Sequence, residues 1–269
     1  MPCAAPSRNN FGVLGPCAFP VVQAVAGVDV SAQNLCYPHY AMKWGQAGIP
    51  KGLMGGIDAD TVFCWHADSL SEALGHSLTL VGDAKLDTAQ SKFGGLAAAF
   101  DGVGDCITSP DSPDFAFGSG DFTIDLWAYF TNTAQTGQTL IAQSGFAAPN
   151  VSWMIRYDSG NALKLYTTVD GTALISSTWT WTPTANTWYH IAVVRSGSSA
   201  YLFVNGTQVG TPGAVAATVI DSSYPLTIGA NSGNGVVPNQ FFYGYLDEVR
   251  ISKVARWTSN FSVPTAPYT

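Results

Sequence analysis

From Asp58 onward the chain alternates apolar and polar residues in short runs, each closed by Gly, Asn or Asp. That period of two is the mark of half-buried antiparallel strands. The pattern predicts strands over Val62 to Ala67, Leu78 to Val81, Ala97 to Phe100, Phe122 to Phe130, Thr139 to Gln143 and Val151 to Tyr157. It continues with Leu163 to Thr168, Thr172 to Ser176, Thr187 to Arg195, Tyr201 to Val204, Leu226 to Ile228 and Phe241 to Ile251. One short helical turn is expected over Ser69 to Leu74. Asp158-Ser-Gly-Asn161 and Asn205-Gly206 carry turn chemistry, because Asn and Gly accept positive φ at little cost. Many short strands without a long helix predict an all-β, two-sheet antiparallel sandwich. No internal repeat is evident.

Residues 1–57 read differently. Pro2, Pro6, Pro16, Pro20, Pro38 and Pro50 interrupt them, Gly residues are frequent, and no period persists. Phe11, Phe19, Tyr37, Tyr40, Met42 and Trp44 nevertheless make the stretch too apolar for a solvated tail. A segment that cannot build its own core buries itself against something else. The expectation is an irregular docking or assembly arm over 1–57, followed by the sandwich over 58–269.

Four segments together resemble a known family. They are Lys92-Phe-Gly-Gly with Phe100-Asp-Gly-Val-Gly-Asp105, Phe117-Gly-Ser-Gly-Asp-Phe-Thr-Ile-Asp-Leu-Trp127, Trp188-Tyr-His-Ile-Ala-Val-Val-Arg195 with Tyr201-Leu-Phe-Val-Asn-Gly206, and Tyr243-Gly-Tyr-Leu-Asp-Glu-Val-Arg-Ile-Ser252. In this order they resemble a laminin-G-like domain of the concanavalin A-like lectin class, in the variant common in bacteriophage fibre and other virion proteins. The resemblance implies a jelly-roll sandwich that binds rather than catalyses. It implies a structural virion surface protein of a bacteriophage, a capsid fibre, decoration protein or tail-associated fibre. Made in the host cytoplasm, it would dock on capsid or tail proteins through its arm, form a homo-oligomer, and touch host-surface glycans. The alternatives are a secreted or cell-surface bacterial lectin and a sandwich glycan hydrolase or lyase.

Composition narrows the choice. Charged residues make up 11% of the 269, and the net charge is −7. Arg8, Lys43 and Lys51 against Asp29 leave the first 57 residues net positive, so the sandwich carries all of the negative excess. With no basic run, nucleic acid is a poor partner, since phosphate contacts need clustered Lys and Arg. Cys3, Cys17, Cys36, Cys64 and Cys106 are odd in number and form no C-x-x-C pair, which fits free thiols in a reducing cytoplasm. Phe11 to Val28 is too short and too broken by Pro16 and Pro20 for membrane insertion, and is a weak signal peptide.

Candidate chemistry is sparse. A sandwich glycosidase needs two opposed carboxylates, yet the only glutamates, Glu72 and Glu248, lie in unrelated segments. No G-x-S-x-G occurs, and His39, His66, His76 and His190 show no paired spacing. The expectation is no catalytic residue. By strand parity Asp247 sides with Val249 and Ile251 and is expected to point inward. The family resemblance implies a structural calcium there, with Asp247 as ligand and Asp101 as second candidate. The alternative is that Asp247 caps backbone N–H groups and Asp101 makes a turn. Trp179 and Trp181 share parity in a Thr-rich segment and form one candidate sugar-stacking platform; Tyr243 and Tyr245 form another. Core or interface packing is the alternative for all four. Trp127, Trp153 and Trp188 lie in strongly patterned strands and are expected in the core.

Overall fold

The structure is a computed structural model describing residues 56–145, 150–231 and 240–269. Of the expected arm, 1–55 lie outside the described residues. Sixteen strands follow along them. The first eight are β1 Thr61–Trp65, β2 Thr79–Val81, β3 Lys85–Asp87, β4 Ala97–Asp101, β5 Cys106–Ser109, β6 Phe122–Phe130, β7 Gln138–Ser144 and β8 Val151–Asp158. The rest are β9 Ala162–Thr168, β10 Leu174–Thr180, β11 Trp188–Ser196, β12 Ser199–Val204, β13 Thr207–Gln208, β14 Gly213–Ala214, β15 Leu226–Ile228 and β16 Tyr243–Ser252.

Two antiparallel sheets result. One runs β13-β12-β11-β6-β16-β4-β3, with β1 added beside β16 and β14 beside β12; the other runs β10-β9-β8-β7-β15-β5-β2. Between them lies one large core that includes Phe63, Trp65, Ile124, Leu126, Phe130, Trp153, Ile155, Leu163, Ile191, Val193, Leu246 and Ile251. Each fully buried side chain of this size contributes roughly 1.5–3 kcal/mol. The all-β sandwich expected from the alternation is what forms.

Local departures have identifiable causes. No helical turn forms over Ser69 to Leu74. The Glu72 carboxylate there accepts N–H bonds from Cys64, Leu74 and His76, and so fixes an irregular loop instead. The sequence pattern missed β3, β5, β13 and β14, four strands too short to display a period. It also ended β10 before Ser177, whereas the strand continues to Thr180 and pairs through Trp179 with Leu163.

β16 positions the candidate site. Leu246 and Val249 both reach the core although three residues apart. Between them the register against β6 steps from Asp247↔Trp127 to Arg250↔Asp125, and Glu248 takes φ +51°. This is a β-bulge, one extra residue that reverses the parity of everything before it. Asp247 therefore points to the outer face of the first sheet, opposite to Val249 and Ile251. The inward orientation expected for Asp247 is corrected by this one residue.

That outer face is covered in stages. Trp257 and Phe261 stack on one another, 3.8 Å between centroids, and pack with Ala192, Val194 and Phe203. Tyr268 covers Asp125 and Arg250. Phe93 meets Trp127 edge-on, and the Lys92 ammonium lies 3.8 Å from the centre of the Trp127 ring. Trp127 is thus buried, as expected, but outside the sandwich core. Past these residues the face is left open by the described residues.

Candidate functional site

One row crosses the open end of this face. Trp188 of β11 pairs with Tyr129 of β6, Tyr129 with Tyr245 of β16, Tyr245 with Ala99 of β4, and Ala99 with Lys85 of β3. Directly paired residues put their side chains on one face. Trp188, Tyr129 and Tyr245 are all half-buried. Their rings meet at 5.5 Å (Tyr129–Trp188) and 5.7 Å (Tyr129–Tyr245), with interplanar angles of 58° and 83°. The rings are tilted, so a flat ligand face can rest on one ring at a time. The close approach of β16 to β6 here needs glycine: a Cβ on Gly244 would lie 1.9 Å from the Tyr129 carbonyl oxygen.

Beyond Tyr245 the row drops into a cleft of about 310 Å3. Ala99 is small enough to leave the depression, and Tyr243, Tyr245, Lys85, Asp87 and Asp101 stand around it. Lys85 Nζ lies 2.8 Å from Asp87 Oδ2, a pairing that raises the lysine pKa and lowers that of the aspartate. At the far wall, carboxylate oxygens of Asp83, Asp101 and Asp105 lie within 4.8 Å of one another. Asp105 is buried, and its two oxygens accept the N–H groups of Asp83 (2.9 Å) and Asp101 (3.0 Å). Burial pushes its pKa up, and the Asp101 charge adds to this. Asp101 accepts the Val103 N–H at 2.7 Å, which is the turn-forming alternative for that residue.

The residues singled out from sequence divide. Tyr243, Tyr245 and Asp101 meet in the one cleft. Asp247 does not join them. One of its oxygens accepts the Glu248 N–H (2.8 Å), and the other accepts those of Lys92 (2.8 Å) and Phe93 (3.2 Å). Its carboxylate holds the 91–95 loop onto the sheet, and the hydrogen-bonding alternative accounts for both oxygens. Exposed Asp83 and Asp101 are hard oxygen donors of the kind a calcium ion prefers; Asp105 beside them, like Asp247, has both oxygens on backbone N–H groups, and Asp247 lies outside this cluster.

Trp179 and Trp181 do share a side, but it is the inner one. Trp179 is 2% exposed and donates from Nε1 to the Thr211 carbonyl, and Trp181 packs edge-on against Phe130 and Tyr189. They serve the core, which corrects the platform expected there. Trp188 reverses in the other sense: expected in the core, it stands half-exposed in the aromatic row, while Trp153 is fully buried as expected. Sequence reasoning missed Tyr129, Lys85, Asp83, Asp87 and Asp105 as site residues. A period-two strand that keeps aromatics on its non-core side, as at Trp127 and Tyr129, was the available signal.

Comparison with known proteins agrees with this fold. Residues 101–259 match the laminin-G-type family described as the concanavalin A-like lectin/glucanases superfamily. Among solved structures, domain 4 of AbnA, a GH43 extracellular arabinanase from Geobacillus stearothermophilus in complex with arabinotriose, is similar at TM-score 0.56 and 19% identity, covering 74% of this chain and 95% of that one. The binding domain of Paraclostridial Mosquitocidal Protein 1 is similar at TM-score 0.56 and 14% identity, over 73% of this chain. Botulinum neurotoxin type C, whose cell entry depends on interaction with two ganglioside molecules, follows at TM-score 0.54 and 13% identity, over 73% of this chain. The chain spans about half of the two toxin structures, 49% and 48%. No curated protein matches it. With more than half of its length matched and two antiparallel sheets closed on one core, the chain belongs to the concanavalin A-like lectin/glucanases superfamily.

Proposed function

We propose that the sandwich is a non-catalytic glycan-binding module, displayed on the surface of a bacteriophage particle. The observation that carries the binding reading is the in-register row Trp188–Tyr129–Tyr245 ending in a cleft with carboxylates around it. Tyr and Trp offer apolar ring faces with polar edges, which suits a sugar's C–H face beside its hydroxyls. The similarity to a domain solved in complex with arabinotriose is in keeping with this reading. The virion setting draws on the sequence resemblance and on the apolar, proline-broken 1–57 segment, read as the arm that docks on capsid or tail proteins. A weak single site would gain from many copies on one particle, where tethering alone raises effective affinity about 10²–10⁴-fold.

Catalysis is disfavoured by the geometry of the nearest carboxylates. Asp105, the one with the raised pKa, is buried and its two oxygens hold the backbone N–H groups of Asp83 and Asp101, a turn-fixing role that speaks against acid catalysis. The test is a glycan array probed with the full chain and with Tyr129→Ala/Tyr245→Ala. Binding by the parent that the double variant loses, with unchanged melting, supports the reading; equal binding by both overturns it. Release of sugar from any bound glycan would overturn the non-catalytic part, and absence of the polypeptide from purified particles the virion part.

A further inference from the structure

Resting on the glycan-binding reading, we propose that this cleft selects uncharged sugars and rejects sialylated or uronate-bearing ones. The charges around it decide the sign. Among the described residues, Asp83, Asp87, Asp101 and Asp105 line the cleft against a single cation, Lys85. Its charge is offset where it stands: the ammonium lies 2.8 Å from the Asp87 carboxylate. A sugar carboxylate entering between Tyr243, Tyr245 and Asp101 would meet lining residues whose net charge is negative. It would approach acceptors, and two facing acceptors with no hydrogen between them repel.

Sugar hydroxyls meet the opposite situation. They are donors, and exposed Asp83 and Asp101 are acceptors. One carboxylate can accept from two neighbouring hydroxyls of one ring, while the C–H face of that ring lies on Tyr245. Hydrogen bonds from neutral donors to an ionised acceptor are stronger than neutral pairs, so the carboxylates add to the affinity for a neutral ring. The same groups therefore favour one ligand class and oppose the other, which is how discrimination is usually built.

The test uses matched pairs of oligosaccharides differing only in charge: lactose with 3′-sialyllactose, and arabino- and gluco-oligosaccharides with their uronate-terminated forms. Binding to the full chain is measured at low and at high salt. Expected is at least tenfold preference for the neutral member, shrinking as salt rises. In Asp87→Asn/Asp101→Asn, Lys85 is freed and two carboxylates are replaced by amides whose oxygens still accept the Ala89 and Val103 N–H groups; the preference should fall or reverse. Equal or tighter binding of the acidic members by the parent overturns the charge selection and leaves glycan binding intact. No binding of any pair by the folded protein overturns both. A preference for the neutral member that the double variant leaves unchanged places the discrimination elsewhere and overturns the inference.

Discussion

Asp125 and Arg250 face each other across β6 and β16 with no side-chain exposure, joined by two hydrogen bonds of 3.0 Å. Burial by itself would raise the aspartate pKa; the Arg250 charge and the His190 hydrogen bond outweigh it and hold the carboxyl well below its usual range. Removing one partner leaves the other charged, buried and uncompensated, at a cost of about 3–5 kcal/mol. Arg250→Met is therefore expected to lose about that much in urea unfolding, and Asp125→Leu/Arg250→Met to lose less than the single variant. A double variant as unstable as the sum of its singles would mean that the pair is not the unit. The sign of the pH effect follows from the lowered pKa. The contribution of Asp125 is complete above the unfolded value near 4 and is lost as pH falls below it, so acid should narrow the gap between parent and variant.

Tyr268 extends that network to the end of the sandwich. Its hydroxyl donates to Asp125 Oδ2, its N–H to Glu248 Oε2 at 3.0 Å, and the next carbonyl, that of Thr269, accepts the Ile57 N–H at 3.0 Å. Tyr268→Phe keeps the packing and removes one charge-assisted hydrogen bond inside the protein. The expected loss is about 1–3 kcal/mol by denaturant unfolding. An unchanged midpoint would show that the hydroxyl bond adds nothing to the packing and backbone bonds that hold residues 253–269.

Asp247 gives a pH signature of the other sign. Burial raises its pKa to about 7, against the three backbone N–H groups that lower it. A carboxyl raised on folding contributes most while it is protonated in the folded state, and that contribution declines as pH climbs from about 4 to about 7. The difference in stability between parent and Asp247→Ala should therefore shrink by about 1 kcal/mol or more between pH 5 and pH 8. Because both oxygens already serve backbone donors, calcium or chelator should leave that difference unchanged; a difference that chelator abolishes would make Asp247 a metal ligand after all.

The fold was legible because alternation in β6, β8 and β11 is long enough to count, and burial enforces it. The site was only partly so. Tyr243, Tyr245 and Asp101 could be picked out as aromatic or acidic residues at a strand end and a turn. Their meeting with Lys85, Tyr129 and Trp188 depends on cross-strand register, which no single segment encodes. Asp247 was misplaced because a bulge belongs to a pair of strands, although the three-residue step from Leu246 to Val249 announces it. Trp179 and Trp181 were correctly put on one side of their strand; which side faces the core is decided by pairing with β9.

The two pairs of aromatics therefore predict opposite phenotypes. Trp179 fills core volume and ties its indole N–H to Thr211 at 3.1 Å, so truncation leaves both a cavity and an unpaired carbonyl. Trp179→Ala should cost about 3–5 kcal/mol, enough to lower the melting temperature by well over 5 °C. Tyr245 stands partly buried on the outer face, its ring near-perpendicular to that of Tyr129 and the cleft beside it. Tyr245→Ala should cost less, about 1–2 kcal/mol, since part of its ring stays in water in the folded protein. The measurement is thermal and urea unfolding of both variants, followed by adsorption of glycan-coated beads. A stable Trp179→Ala that no longer adsorbs would restore the inner tryptophans as the platform. A Tyr245→Ala that unfolds early would make the row a structural seam, and the binding face would have to be sought on the second sheet.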